Sequence, residues 1–333
     1  MRRIVSMLVL MIMAAASFYG GVSADAEKSR PLRKYVVRNA SSSKAVCNDG
    51  ACSSDAECIE RYNSTRDLMS SANYPDQIER GGILSTSKRL NPDFSKFNHV
   101  FVQYCSSDTW LGDTERNIAG VNVQFRGHHI VKAVIEDLMD SSVIPENNLK
   151  AATEVIFSGS SAGSFGAQNN MDRVAEMLSF ARVSGVLDSG GKPPIPGFGQ
   201  TNEDPSQAES SGFSYWNAQP DESCLRNYPD TPNVCLYSYF VYSHISTPVF
   251  VYVDQRDENA LMHKGVLPPY DDAEKAYIDN YIVECRASLS GVSAVFSPST
   301  GNHTALTNDR FTSIKVNNHT FAETLGNWYF NRQ

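Results

Sequence analysis

Residues 154–178 join a short apolar strand to a helix through five small residues, Gly159-Ser160-Ser161-Ala162-Gly163. This is a G-x-S-x-G motif. Between a strand and a helix, the motif places its central serine on a sharp turn at the edge of an α/β sheet. The segment therefore predicts an α/β fold with Ser161 as a nucleophile. Ser160 is the alternative hydroxyl, although it lacks the flanking glycines.

The rest of the chain alternates in the same way, which favours a mostly parallel sheet with helices on both faces. Residues 191–235 are rich in Pro, Gly, Ser and Asn and predict a disulfide-stapled insertion that acts as a cap or binding loop. The apolar runs predict strands at 99–105, 154–160, 182–190, 247–255 and 293–298, and the amphipathic segments predict helices at 125–141, 162–180, 271–289 and 317–332.

The N-terminus predicts a secretory signal peptide over residues 1–24. Arg2 and Arg3 precede an apolar run at 4–20, and Val22-Ser23-Ala24 fits a small-x-small cleavage site. A membrane anchor is the alternative. We expect residues 25–46 to form a flexible leader and residues 47–333 a single domain, in a protein that is secreted to the extracellular space or cell wall.

The seven cysteines are expected to pair, because a secreted chain folds in an oxidising compartment. Their spacing predicts the pairs Cys52–Cys58 and Cys224–Cys235, makes Cys47–Cys105 plausible, and leaves Cys285 over. No cysteine or histidine spacing resembles a zinc site, so we expect neither metal nor cofactor. Four Asn-x-Ser/Thr sequons fit a glycoprotein; they begin at Asn39, Asn63, Asn302 and Asn318.

The net charge of −8 and the absence of a long basic stretch make nucleic acid an unexpected partner. After removal of the signal peptide we expect no membrane anchor, because no other stretch has the roughly 20 apolar residues of a spanning helix.

The partners of Ser161 should follow it in the order acid, then base. Asp254, Asp257 and Glu258 come just after the 247–255 strand, and Asp188 ends the strand that follows the nucleophile. Among the histidines, only His303 and His319 follow the last predicted strand. His303 is favoured as the base because it lies in a loop directly after that strand, whereas His319 starts the closing helix.

Several blocks in one order resemble the pectin acetylesterase/Notum family of secreted serine carboxylesterases. The resemblance spans residues 46–333 and rests on "NPDF" (91–94), "YCSSDTWLGD" (104–113), "FRG" (125–127), "SGSSAGSFGAQNNMDRVAEML" (158–178), "DSG" (188–190), "DESC" (221–224), "TPVFVYVDQRDENAL" (247–261) and "AETLGNWYF" (322–330).

The resemblance implies an α/β-hydrolase-like fold and a triad of Ser161, Asp257 and His303, with Asp188 as a structural carboxylate. It also implies hydrolysis of an O-acyl ester. An acetyl group on a cell-wall polysaccharide such as pectin is favoured, and a fatty acyl group on a secreted protein is the alternative.

The chain departs from the family at the oxyanion hole. Members carry a strand and a glycine-rich turn after their Cys-x-Asp-Gly block, whereas here "CNDG" (47–50) runs directly into "ACSSDAEC" (51–58). The expected oxyanion donors are therefore the N–H of Ala162 and whatever remains at Gly50. A catalytically impaired relative that binds glycan or protein is the competing class.

We expect the substrate pocket to be lined by Trp110 and the loop at 191–223. Core packing is the alternative role for Trp110.

Overall fold

The computed structural model describes residues 6–12, 31–34, 44–47, 69–145, 148–191, 193–200 and 210–332, with three isolated positions at 56, 59 and 63. In this part of the chain the strands are β1 (Ser6–Ile12), β2 (Leu32–Arg33), β3 (Gln77–Ile78), β4 (Asn98–Gln103), β5 (Thr114–Ile118), β6 (Val121–Phe125), β7 (Glu154–Ser160), β8 (Arg182–Asp188), β9 (Val249–Tyr252), β10 (Val295–Phe296), β11 (Lys315–Val316) and β12 (His319–Thr320). The helices are α1 (Gly127–Met139), α2 (Ala162–Met177), α3 (Ser210–Trp216), α4 (Glu222–Asn227), α5 (Ser238–Val241), α6 (Glu258–His263), α7 (Asp272–Ser288), α8 (Arg310–Ser313) and α9 (Phe321–Tyr329).

Six strands form the main sheet in the order β10-β9-β8-β7-β1-β4, and every neighbouring pair is parallel. A parallel sheet needs crossover connections that cover both of its faces, so its strands read as continuous apolar runs. Residues 155–160 of β7 are all buried, as this arrangement requires.

Successive side chains of a strand point to opposite faces, and the core divides accordingly. On one face, Val155 and Phe157 of β7 belong to a cluster that includes residues of α1, α2 and α7. On the other face, Ile156 belongs to a cluster that includes Phe311 of α8 and Phe321 of α9. The predicted parallel sheet with helices on both faces is therefore confirmed.

The central position between β4 and β7 is occupied by β1. Its register pairs Leu8 with His99 on one side and with Ile156 on the other. From the sequence, these same residues are predicted to form a signal peptide, and a strand is expected to be missing after Gly50. An uninterrupted apolar run of this length fits a buried parallel strand as well as the apolar region of a signal peptide, so the pattern alone does not distinguish them.

Most sequence-based elements match the structure to within a few residues. The β5–β6 hairpin was not predicted, and the 191–235 insertion contains the short helices α3 and α4 among its described residues. Over the part of the chain that the structure describes, no helix has the length and apolar character needed to cross a bilayer.

Two predicted disulfides, Cys47–Cys105 and Cys224–Cys235, are confirmed. Cys285 is a buried free thiol. The expected pair Cys52–Cys58 lies outside the described residues.

Candidate active site

The ends of four adjacent strands bring the candidate residues to one edge of the sheet. Ser161 follows β7, Asp188 ends β8, Asp254 and Asp257 follow β9, and His303 follows β10. In open parallel sheets, sites form at the carboxyl ends of the strands, because the connecting loops meet there.

Ser161 occupies a sharp turn between β7 and α2, with φ 57° and ψ −126°. Its carbonyl accepts hydrogen bonds from the N–H groups of Ser164 and Phe165, at 2.8 and 3.2 Å, which begins the helix directly after the turn. A Cβ atom on Gly159 would collide with the carbonyl of Gly163. The first glycine of the motif is therefore required by the close approach of strand and helix.

The three residues expected to form a triad are in hydrogen-bond contact. His303 Nε2 lies 2.7 Å from Ser161 Oγ, and His303 Nδ1 lies 2.6 Å from Asp257 Oδ2. A carboxylate only accepts hydrogen bonds, so Nδ1 carries the imidazole proton and Nε2 accepts from the serine hydroxyl. This is the arrangement that lets a histidine remove the proton of a serine.

Asp257 is held by the helix that it caps. Its Oδ1 accepts hydrogen bonds from the N–H groups of Asn259 and Ala260, at 2.9 and 3.0 Å, in the first turn of α6. Side-chain oxygens at this position satisfy N–H groups that the helix itself leaves without acceptors. The other oxygen, Oδ2, is left facing His303.

The environment of His303 favours its protonated form. Burial lowers the pKa of His303, but the hydrogen bond to Asp257 and the charges of Asp257 and Asp188 together outweigh burial. Arg310 opposes them, and the net result is a pKa above the ordinary 6.5. The pair is therefore suited to stabilise the imidazolium that forms when Ser161 loses its proton.

The other candidate carboxylates have different partners. Asp188 accepts from Ser160 Oγ at 2.5 Å and from the N–H groups of Ala305 and Leu306. Burial raises the pKa of Asp188 to about 6, although these hydrogen bonds lower it. Asp254 is fully buried and accepts from backbone N–H groups of residues 300–302. Both carboxylates therefore accept hydrogen bonds from backbone N–H groups of the loop around His303, and the sequence did not indicate these hydrogen bonds.

The alternative nucleophile, Ser160, and the alternative base, His319, have partners outside the triad. The Ser160 hydroxyl donates to Asp188. His319 lies exposed in β12, where it pairs with Val316 of the short β11–β12 hairpin. Glu258 is the first residue of α6, directly after Asp257.

Ala162 is the first residue of α2, so its N–H has no acceptor within the helix and is available to an oxyanion. Gly50, the second expected donor, lies outside the described residues. Of the two expected oxyanion donors, the structure therefore describes only the N–H of Ala162.

Trp110 has no exposed surface. Its ring lies 5.1 Å, centroid to centroid, from that of Tyr104, and a Cβ atom on Gly166 of α2 would be 2.6 Å from its Cβ. This placement corresponds to core packing. The substrate-binding role stays a prediction that the geometry does not support.

Comparisons with known proteins agree with this geometry. The sequence pattern of the family described as Pectinacetylesterase matches residues 50–333. The palmitoleoyl-protein carboxylesterase NOTUM of Drosophila melanogaster is 30% identical over 356 aligned residues, which cover 96% of this chain and 50% of that protein. The human protein of the same name is 30% identical, and the alignment covers 89% of this chain and 66% of the human protein.

The chain thus spans about half to two thirds of the length of these curated relatives. The alignment to the Drosophila protein is also longer than the 333 residues of this chain, so that relative contains segments that this chain lacks.

Solved structures resemble this one over most of its length. A structure of the Wnt deacylase Notum from Drosophila has a TM-score of 0.82 at 28% identity and covers 91% of this chain and 94% of that one. A second crystal form of that protein has a TM-score of 0.80 at 27% identity, and the match covers 99% of this chain and 86% of the Drosophila chain. The fold is α/β-hydrolase-like, and the chain belongs to the pectin acetylesterase/Notum family.

Proposed function

We propose that this protein is a serine carboxylesterase that hydrolyses O-acyl esters through an acyl-enzyme. The observation that carries the proposal is the hydrogen-bonded series Asp257–His303–Ser161, with distances of 2.6 and 2.7 Å, on a strand-turn-helix motif. The geometry favours nucleophilic attack by Ser161, because its hydroxyl is hydrogen-bonded to a histidine that is itself oriented by a carboxylate.

In the first half of the reaction, Ser161 Oγ attacks the ester carbonyl carbon while its proton passes to His303 Nε2. Asp257 stabilises the resulting imidazolium. The tetrahedral intermediate collapses, the C–O bond of the ester breaks, and His303 returns the proton to the departing alcohol. In the second half, His303 takes a proton from water as the water oxygen attacks the acyl carbon. The bond from that carbon to Ser161 Oγ then breaks, His303 returns the proton to Oγ, and the carboxylic acid leaves.

The Ala162 N–H is the described donor to the oxyanion of each intermediate. Losing one donor of such a pair typically lowers kcat by about 10²–10³-fold. The second donor is proposed at Gly50 or its surroundings. A turnover that is low but depends on Ser161 is therefore compatible with this proposal, whereas a pure binding protein would show none.

For the substrate, we favour an acetyl ester on a cell-wall polysaccharide such as pectin. The match of residues 50–333 to the Pectinacetylesterase family supports this choice. The protein is proposed to act outside the cell, with no metal or cofactor.

A second candidate is removal of a fatty acyl group from a secreted protein. The names of the curated relatives support it, since the Drosophila and human proteins are both palmitoleoyl-protein carboxylesterases. The two candidates share the same bond cleavage and differ in acyl length and carrier.

The test compares the wild-type protein with Ser161→Ala on p-nitrophenyl acetate, and both with a fluorophosphonate that labels activated serines. We expect hydrolysis and labelling by the wild type only. Equal rates for the two proteins would rule out the esterase. Acetylated pectin and a palmitoleoylated serine peptide then separate the two substrate candidates by kcat/KM.

A further inference from the structure

His303 lies in the middle of a loop, residues 297–306, which we call the base loop. The loop has little regular structure: after β10 ends at Phe296, no helix begins until Arg310. An irregular loop of this length holds its shape only if its backbone polar groups find partners. Two fully buried carboxylates, Asp254 and Asp188, provide them.

Asp254 binds the segment before His303. Its oxygens accept hydrogen bonds from Thr300 N at 2.9 Å, Thr300 Oγ1 at 2.5 Å, Gly301 N at 3.3 Å and Asn302 N at 3.3 Å. The same carboxylate accepts from Arg256 N at 3.0 Å, in the turn that leads to Asp257. Asp254 therefore joins the base loop to the turn that carries the acid.

Asp188 binds the segment after His303. It accepts from Ala305 N at 3.2 Å and from Leu306 N at 3.1 Å. It also accepts from the hydroxyl of Ser160, the residue before the nucleophile, at 2.5 Å. Its own carbonyl accepts from Ser161 N at 2.8 Å. Asp188 therefore joins the base loop to the turn that carries the nucleophile.

Ser189 completes this side of the loop, because its hydroxyl donates to the carbonyl of His303 itself. The base is thus bound on its own carbonyl and on both flanking segments, and each carboxylate also contacts a second segment of the triad. Burying an ionisable group without such donors is unfavourable, so the number of N–H and O–H groups aimed at each carboxylate explains why both are tolerated.

We propose that Asp254 and Asp188 are positioning residues that hold His303 within hydrogen-bond reach of Asp257 and Ser161. Asp254 sets the contact between base and acid, and Asp188 sets the contact between base and nucleophile. The proposal rests on the esterase function proposed above, but it concerns which residues make that geometry and not the choice of substrate.

The first test is Asp254→Asn in the full-length protein. An amide in place of the carboxylate would direct an NH2 group at backbone N–H donors, so the base loop should shift. A displacement of about 1 Å at a reacting group can lower the rate by about 10²-fold. We expect a loss of this size in kcat per fluorophosphonate-titrated site, with KM little changed. The hydrogen bond and the charge of Asp257 are the largest of the causes that raise the pKa of His303. A fall in the acid-limb pKa of kcat/KM that is also seen in Thr300→Val, which keeps the Asp254 charge, would therefore report a weakened His303–Asp257 contact.

Asp172→Asn is the matched control. Asp172 accepts from the N–H and hydroxyl groups of Ser246 and Thr247, at 2.7 to 3.0 Å, at the opposite end of β9. Its loss removes the same kind of contact from a loop that does not reach the triad. We expect a lower Tm, an unchanged acid-limb pKa and an unchanged kcat per titrated site.

Asp188 is tested through milder changes as well, because Asp188→Asn also removes a charge that acts on His303. Ser160→Ala removes the hydroxyl that donates to Asp188, and Ser189→Ala removes the one that contacts the His303 carbonyl and Asp188. Thr300→Val removes the hydroxyl that donates to Asp254 and accepts from Asn302. None of the three changes removes a charge. We expect each to lower kcat per titrated site several-fold at constant KM. These three variants keep the proposal testable if an aspartate variant does not fold.

A readout that needs no turnover is the low-field proton resonance of His303 Nδ1–H, assigned by its loss in Asp257→Asn. We expect it to broaden or move upfield in Asp254→Asn and to stay in place in Asp172→Asn.

If the wild type hydrolyses esters and the base-loop variants keep its kcat, its acid-limb pKa and this resonance, the positioning role is wrong and the esterase stands. If the wild type hydrolyses nothing, the esterase proposal fails, and the resonance alone decides the positioning role.

Discussion

Asp257 contacts His303 with one carboxylate oxygen while the other oxygen caps a helix. Oδ2 lies 2.6 Å from Nδ1 of the imidazole, and Oδ1 accepts the N–H groups of Asn259 and Ala260. The orientation of the acid is therefore fixed by the start of α6 before any substrate binds. This division of the two oxygens makes the amide variant of Asp257 informative.

The pH dependence of kcat/KM should reflect this contact. The base must be neutral to accept the serine proton, and Asp257 holds the pKa of His303 above the ordinary 6.5. We expect activity to fall as the pH drops through this raised pKa. In Asp257→Asn the maximum should fall by up to about 10⁴-fold, and the acid limb should move to lower pH because the charge that raises the pKa is gone. Measuring kcat/KM between pH 5 and 9 checks both, and coincident acid limbs would contradict the assignment of Asp257.

The strained turn at Ser161 should lower the free energy of unfolding of the protein. Its φ of 57° with ψ of −126° is unfavourable for any residue with a Cβ atom, by about 1–3 kcal/mol. We expect Ser161→Gly to unfold at higher temperature than Ser161→Ala, since both variants are inactive but only glycine relieves the strain. Thermal unfolding of the two variants side by side provides the measurement. Equal midpoints would mean that the turn stores no such strain.

The residues of the proposed triad could be selected from the sequence because nucleophile, acid and base follow one another in a fixed order along such chains. Ser161 comes from a strand-turn-helix motif, and His303 is one of the histidines beyond the last predicted strand; the resemblance then selected Asp257 from the neighbouring carboxylates. Strand β7 could also be predicted, because Val155, Ile156 and Phe157 form a short apolar run directly before the G-x-S-x-G motif.

The contacts of Asp254 and Asp188 could not be predicted in this way. Their partners are backbone N–H groups of residues 300–306, which come close only when β8, β9 and β10 lie side by side. The β5–β6 hairpin was missed for another reason. Only Ile118, Val123 and Phe125 of its two strands are buried, and polar residues separate them, so it lacks the continuous apolar run that identifies a buried strand.

Trp110 offers a test of packing against substrate binding. Its indole is fully buried beside Tyr104 and the α2 backbone at Gly166. We expect Trp110→Phe to lower the free energy of unfolding by roughly 1–3 kcal/mol because the smaller ring leaves a cavity. KM for p-nitrophenyl acetate should stay within twofold of the wild type. A raised KM without loss of stability would instead restore Trp110 as part of the pocket.

The strand between β4 and β7 leads to the last prediction. Residues 6–12 cannot both leave with a signal peptide and form β1 in the same molecule, and in the structure they join β4 to the strand that carries Ser161. A chain that begins at Asp25 would leave the facing edges of β4 and β7 unpaired, and unpaired inner edges expose backbone donors and acceptors. We expect that chain to lose cooperative unfolding and fluorophosphonate labelling of Ser161, whereas the chain from Met1 keeps both. The mass of the N-terminal peptide from purified active protein identifies which form is present. An active, cooperatively folded protein that starts at Asp25 would show that this position in the sheet does not depend on residues 6–12.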